Sequence, residues 1–205
     1  AYVDYTLSTT LAFRAGVLLV PFGNNEADHY APLRDVVSRP LSSRLISPSD
    51  WTDNGMGLVG HRELAPLWQL DWEAYLLTGL GGELQGYRLR NLRQGFGSDN
   101  NNSKALAAHV ALHHADILSM GLGVYRGAWD DQGRDNLEGI GLDFSWDPAP
   151  WHFNGEYLRM RASRANASAA VLSGGYLRAG YDIDRWLPNG WAGQAFPDAR
   201  LTLLY

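Results

Sequence analysis

The stretch WQLDWEAYLLT, residues 68–78, puts Trp68, Leu70, Trp72, Ala74 and Leu76 on one parity and Gln69, Asp71, Glu73 and Tyr75 on the other. Successive side chains of an extended chain point to opposite faces, so this alternation predicts a strand with one oily and one charged face. The same period recurs in both directions along the chain. Phe13, Ala15, Val17 and Leu19 oppose Arg14 and Gly16, and Leu106, Ala108, Val110 and Leu112 oppose His109 and His113. Leu118, Met120, Leu122 and Val124 oppose Ser119, Gly121, Gly123 and Tyr125. Ile140, Leu142, Phe144 and Trp146 oppose Asp143 and Ser145, while Trp151, Phe153 and Tyr157 oppose His152, Asn154 and Glu156. Leu177, Ala179 and Tyr181 oppose Arg178 and Asp182, and Leu201, Leu203 and Tyr205 oppose Arg200 and Thr202. With segments 3–8 and 54–62 added, about ten strands are expected, and helical spacing is scarce.

The connections fall into two alternating classes. Short turns are predicted at Ser8–Thr10, Glu63–Pro66, His114–Asp116 and Asp147–Pro150, and longer polar or Gly-rich loops at 21–53, 80–103, 127–136 and 162–170. Tight turns on one side and extended loops on the other are how an outer-membrane barrel is built. The expectation is an all-β, antiparallel transmembrane barrel, a single domain over 1–205 or part of a larger one. Segment 184–197 departs from the alternation, being long where a short turn is due. Trp51, Trp68, Trp129, Trp146, Trp151 and Trp186 lie near strand ends, where an interfacial aromatic girdle would sit. The competing architecture is a soluble β-sandwich whose aromatic residues bind carbohydrate. Its water-facing strand faces favour Lys, Glu and Thr, and its loops need not alternate in length.

Composition narrows the function. The chain has 205 residues, 45% hydrophobic and 19% charged, with no cysteine, which excludes disorder, disulfide frameworks and thiolate chemistry. A net charge of -5 argues against nucleic acid as a partner, since phosphate neutralisation needs a basic surface. Lys104 is the one lysine among 17 basic residues. No apolar run reaches the roughly 20 residues of a membrane-spanning helix. Mean hydropathy of -0.26 is compatible with strands that alternate polar and apolar residues.

Residues 13–60 contain Arg14-Ala15-Gly16, then Pro21-Phe22-Gly23, Asn25 and His29, then Arg39-Pro40-Leu41 and Arg44, and finally Pro48, Trp51 and Gly55-Met56-Gly57-Leu58. This stretch resembles the phosphate-selective porin O and P family of Gram-negative outer membranes. The resemblance implies a trimeric diffusion channel for small hydrophilic solutes or anions, in contact with outer-membrane lipid and lipopolysaccharide. In such channels loops fold into the lumen and basic residues line the pore. With a single lysine, this chain departs from that basic lining. Lumen parity gives Asp4, Asp71, Glu73, Asp143, Glu156 and Asp182 against Arg14, Arg178 and Arg200. Arginines cluster instead in the two longest loops, as Arg34, Arg39 and Arg44 and as Arg88, Arg90 and Arg93. Inward-folded loops would put these guanidinium groups at a constriction, where rings of charge set ion preference. A non-conducting, structural barrel is the alternative within the membrane class.

Catalytic readings are weaker. His109, His113 and His114 lack the Glu of a metalloprotease helix, and on a strand His109 and His113 stand roughly 13 Å apart, too far for one ion. Their expected role is a titratable lumen lining. Glu26, Asp28 and His29 read as a loop hydrogen-bond network, and Asp71 with Glu73 lacks a glycosidase pocket. No catalytic residue, metal or cofactor is assigned, and the chain is not expected to be an enzyme. About eight strands already fill a small barrel with side chains, whereas water-filled channels take about 16 or more. Ten strands are therefore expected to supply part of a pore wall.

Overall fold

The computed structural model describes residues 1–23, 40–47, 51–82, 92, 102–164, 167–183 and 200–205. These form one ten-stranded antiparallel meander in sequence order. The strands are β1 (Tyr2–Ser8), β2 (Leu11–Leu19), β3 (Thr52–Ala65), β4 (Trp68–Leu77), β5 (Ala105–His114), β6 (Leu118–Ala128), β7 (Asn136–Trp146), β8 (Trp151–Ala162), β9 (Ala170–Asp182) and β10 (Arg200–Leu204). A five-residue helix, α1 (Leu41–Leu45), interrupts the β2–β3 connection. The expected short turns appear within a residue or two of their places, and β3 runs longer than expected at both ends. Segment 184–197 lies outside the described residues.

Among the described residues no pairing joins β1 to β10, so the sheet is not closed. Among the described residues β1 pairs with β2 alone, and all residues of β1 are exposed. β10 covers β9 from Arg178 to Asp182, with Tyr205 extending the bonding to Leu177. The remainder of that β9 edge has no strand beside it among the described residues.

Register fixes two faces. Across β4 to β8, Trp72, Val110, Leu122, Leu142 and Tyr157 form one row. This face, called outer below, exposes large apolar groups, Leu142 being 52% and Leu106 61% accessible. Near the short turns it ends in aromatic rings. Trp146 stacks on Phe153 at 5.5 Å, Trp151 lies edge-on to Tyr181 at 4.6 Å, and Trp68 lies beside His114 at 4.5 Å. Near the long loops it turns charged, at Arg126, Glu138, Arg159 and Arg161. From Trp146 to Glu138 the strand advances eight residue steps, about 26 Å at ~3.3 Å per residue, which sets the width of the apolar band.

The inner face is divided. Its half near the long loops carries Leu77, Ala105 and Leu137, then Tyr75, Tyr125 and Met160, all buried. Val20, Phe22, Ile46 and Trp51 complete this core by folding inward from the β2–β3 connection. Burial of Leu137, Leu158 and Met160 contributes roughly 1.5–3 kcal/mol each. The fold thus buries its core on the inner side, while the outer apolar face has no partner among the described elements.

Two tryptophans correct the girdle expectation. Trp51 is 1% accessible and packs on Tyr125 at 4.7 Å, and Trp129 is buried with its indole Nε1 donating to the Ser163 carbonyl at 3.2 Å. Both belong to the inner core and its loop rim. Trp186 lies outside the described residues.

Candidate functional site

The other half of the inner face, toward the short turns, is polar and opens into a cavity of about 1250 Å³. Register stacks this inner face in rows, of which Gln69, His113, Ser119, Asp71, Ala111, Asp143, Glu73 and His109 line the cavity. Gln69, His113, Ser119, Ser145, Asn154 and Arg178 align across β4 to β9, and Asp71, Ala111, Gly121, Asp143, Glu156 and Tyr176 form the next row. Glu73, His109, Gly123, Gly141, Leu158 and Gly174 form the third. Polarity therefore falls from the short-turn rim toward the core.

Arg14 of β2 is held in a fork. Its Nε and Nη2 donate to the two Asp4 carboxylate oxygens at 2.8 and 3.0 Å, and Nη1 donates to the Tyr75 hydroxyl at 3.3 Å. The Tyr75 hydroxyl in turn donates to Glu73 at 2.6 Å, and the guanidinium lies 4.4 Å over the Tyr2 ring. A bidentate guanidinium–carboxylate pair fixes orientation as well as charge. Gly57, the register partner of Arg14 on β3, leaves the gap through which Arg14 reaches Tyr75 of β4.

Two histidine–carboxylate pairs line the same cavity. Nε2 of His109 is 3.0 Å from Asp143 Oδ2, and Nε2 of His113 is 3.4 Å from Asp71 Oδ2. Gln69 donates to the other Asp71 oxygen at 2.6 Å. A third histidine, His152, bridges Asp147 of the β7–β8 turn at 2.8 Å and Asp182 of β9 at 2.9 Å, tying three elements together at the short-turn rim.

The inward segment meets the wall where the wall lacks side chains. A Cβ on Gly123 would stand 3.3 Å from the Pro21 carbonyl, and one on Gly139 would stand 2.8 Å from the Phe22 ring. One on Gly141 would contact Gly23, and one on Gly174 would meet Ile46 at 3.2 Å. These four glycines form a lane across β6, β7 and β9 that seats Pro21–Gly23 and the end of α1. At the other rim Asp53 accepts from Asn54 N at 2.7 Å, from Gly79 N at 2.7 Å and from the Thr78 hydroxyl, pinning the β4 exit to β3.

Of the residues singled out by sequence, Arg14, Asp71 and Glu73 line the cavity, joined by His109, His113 and Asp143. Glu156 and Arg178 lie on the same face but are buried, at 6% and 5% accessible. Arg34, Arg39, Arg88, Arg90 and Arg93 lie outside the described residues. Arg44 belongs to α1, and only its backbone is described. The glycine lane and the Tyr75 bridge were missed, although Gly121, Gly123, Gly139 and Gly141 share one parity and carried that signal.

No family model matches the sequence, and no solved structure matches it. The chain is 28% identical over 210 residues to an uncharacterized protein of Aquifex aeolicus (strain VF5), a similarity that covers 90% of this chain and 47% of that protein. The chain thus spans about half the length of the relative it matches.

Proposed function

We propose that this chain forms part of the wall of a Gram-negative outer-membrane β-barrel and serves passive diffusion of small hydrophilic solutes or ions. The observation that carries the reading is the division of faces. One continuous sheet carries an apolar outer band edged by Trp68, Trp146, Trp151 and Tyr181, and a polar inner cavity lined by Arg14, Asp71, Glu73, His109 and Asp143. Lipid on one side and water on the other is the environment that favours this pattern. A sandwich would need a second sheet over the outer band.

Open edges support the partial-wall reading. Unpaired backbone groups in hydrocarbon cost several kcal/mol each, so the edges of β1 and β9 that have no strand beside them among the described residues would need partner strands in a membrane. A relative about twice as long is consistent with such strands. Preference for phosphate is not part of the proposal, because the described cavity mixes Arg14 with three carboxylates rather than presenting a basic ladder.

Membrane fractionation followed by liposome swelling tests this reading. The expected result is a protein that sediments with outer membranes, needs detergent for extraction, and admits small sugars into vesicles faster than large ones. Recovery as a monodisperse, detergent-free soluble protein overturns it.

A further inference from the structure

Toward the long loops the outer face ends in a group of charges that diffusion through the lumen does not use. Arg126 of β6, Glu138 of β7 and Arg161 of β8 stand side by side in one row, and Arg159 lies one row closer to the short turns, opposite Ile140. Three guanidinium groups thus stand against one carboxylate, a local positive surplus in a chain whose net charge is -5. Neighbouring strands lie about 4.8 Å apart and residues two apart on a strand about 7 Å, so the backbones of the three arginines fall within roughly 12 Å. Arg126 meets Glu138 at 3.7 Å, but their side chains are 69% and 48% exposed, and a surface pair of that length is weak. Arg159 and Arg161 are exposed and have no ion pair among the described residues. The connections beyond these rows carry Lys104, Arg134 and Arg164 against Asp130, Asp131 and Asp135, an even count among the described residues, so the surplus belongs to the strand rows.

Apolar surface surrounds the arginines. In the row of Arg126 and Arg161, Leu106 and Val171 stand on either side, 61% and 49% exposed, and Val124, Ile140 and Leu142 continue the face toward the short turns. A partner that fits must bring hydrocarbon and anionic charge to the same place. Free phosphate supplies the charge alone, and an acidic soluble protein leaves the apolar band in water. Resting on the channel reading above, we propose that Arg126, Arg159 and Arg161 bind the phosphate groups of a phosphorylated lipid in the outer leaflet, with its acyl chains along Val124, Ile140 and Leu142. Guanidinium forks match phosphate oxygens in pairs. An arginine stem lies along apolar surface while its head reaches the polar level, so Arg159 serves the same headgroup from one row deeper. The long-loop end of an outer-membrane barrel is the extracellular end, where lipopolysaccharide is the phosphorylated lipid.

The test uses the full-length protein bearing residues 1–205, purified in detergent, with diphosphoryl lipid A in mixed micelles as the probe and native mass spectrometry as the count of bound lipid. Dephosphorylated lipid A is expected to bind at least about ten-fold more weakly. In the triple variant Arg126→Gln, Arg159→Gln, Arg161→Gln, affinity for diphosphoryl lipid A is expected to fall by at least about ten-fold, while Arg134→Gln in the β6–β7 loop leaves it unchanged. Inorganic phosphate at the same concentration is expected not to displace the lipid. Retained heat-resistant migration in detergent gels checks that each variant has folded, and Arg161→Gln alone, with a loss of about five-fold, replaces a triple variant that has not. Equal binding of the two lipids, undiminished binding by the folded variant, or an equal loss in Arg134→Gln overturns this inference and leaves the channel reading standing. Displacement by inorganic phosphate makes the patch a free-phosphate site and overturns it too. A protein recovered soluble without detergent overturns both.

Discussion

His109 and Asp143 sit on strands that do not pair with each other, yet His109 Nε2 and Asp143 Oδ2 are 3.0 Å apart. Strand β6 runs between β5 and β7, and the two side chains meet over it because Gly121 and Gly123 offer no Cβ. A valine at 121 would drive its methyl groups into both partners. Gly121→Val is expected to destabilise the sheet by about 1–3 kcal/mol, the usual cost of overpacking. Urea titration in detergent micelles measures it, with Ser119→Ala on the same strand and face as a control expected to change little.

The outer band makes a second claim measurable. Leu142 stands at the centre of the row Leu122–Leu142–Tyr157 and is half exposed. Leu142→Arg is expected to cost about 2–4 kcal/mol of folding free energy into phospholipid vesicles. Ser119→Arg, facing the cavity, is expected to cost much less. Equal losses at the two positions would remove the outer band from lipid.

Leu67 sits in the β3–β4 turn with φ of 68° and 68% of its surface exposed. A branched side chain in the left-handed region costs roughly 1–2 kcal/mol, whereas glycine adopts it freely. Its carbonyl accepts from Ala115 N at 2.7 Å, a bond any residue at 67 preserves. Leu67→Gly is therefore expected to stabilise the protein by about 1 kcal/mol, read as a higher urea midpoint. A lower midpoint would show that the exposed leucine makes contacts worth more than its backbone strain.

Stability also differs across the sheet. β1 is exposed throughout and bonded on one side, and β10 pairs along five residues. β8 has neighbours on both sides and buries Leu158 and Met160. Hydrogen exchange is expected to be fastest in β1 and β10 and slowest in β7 and β8, following local opening free energies. Exchange at a uniform rate in all ten strands would contradict this ordering.

The strand faces were legible in the sequence because parity is a local property. Leu70 against Asp71, and Leu142 against Asp143, need only the alternation of an extended chain. Alternation of short and long connections likewise located the turns. The apolar half of the inner face was not legible, because Leu137 and Met160 are covered by Phe22 and Trp51, brought in from a distant connection. Trp51 and Trp129 were assigned to the girdle because proximity to a strand end does not distinguish lipid from the inner core. Parity does. Trp51 shares the parity of Asp53 and Gly55 on β3, which face inward, whereas Trp68 and Trp146 share the parity of Leu70 and Leu142. The charged cluster was half legible. Arg14, Asp71, Glu73, His109, His113 and Asp143 were named, but the joining of Arg14 to Glu73 through Tyr75 depends on the gap at Gly57, which no single strand reveals.

An even-numbered meander has a consequence for handling the protein. β1 begins at the rim that bears the long loops, with the Ala1 carbonyl accepting from Val17 N at 2.9 Å, and β10 heads toward that same rim as its final carbonyl meets Leu177. Residues 1 and 205 therefore lie toward one side of the sheet, opposite the tight turns. A label beside residue 1 or residue 205 lies on one side of the sheet, and a label in the Ala115–Ile117 turn lies on the other. Since residues 1–205 contain no cysteine to compete, single thiols at these two places would report the sidedness that the proposed membrane reading requires.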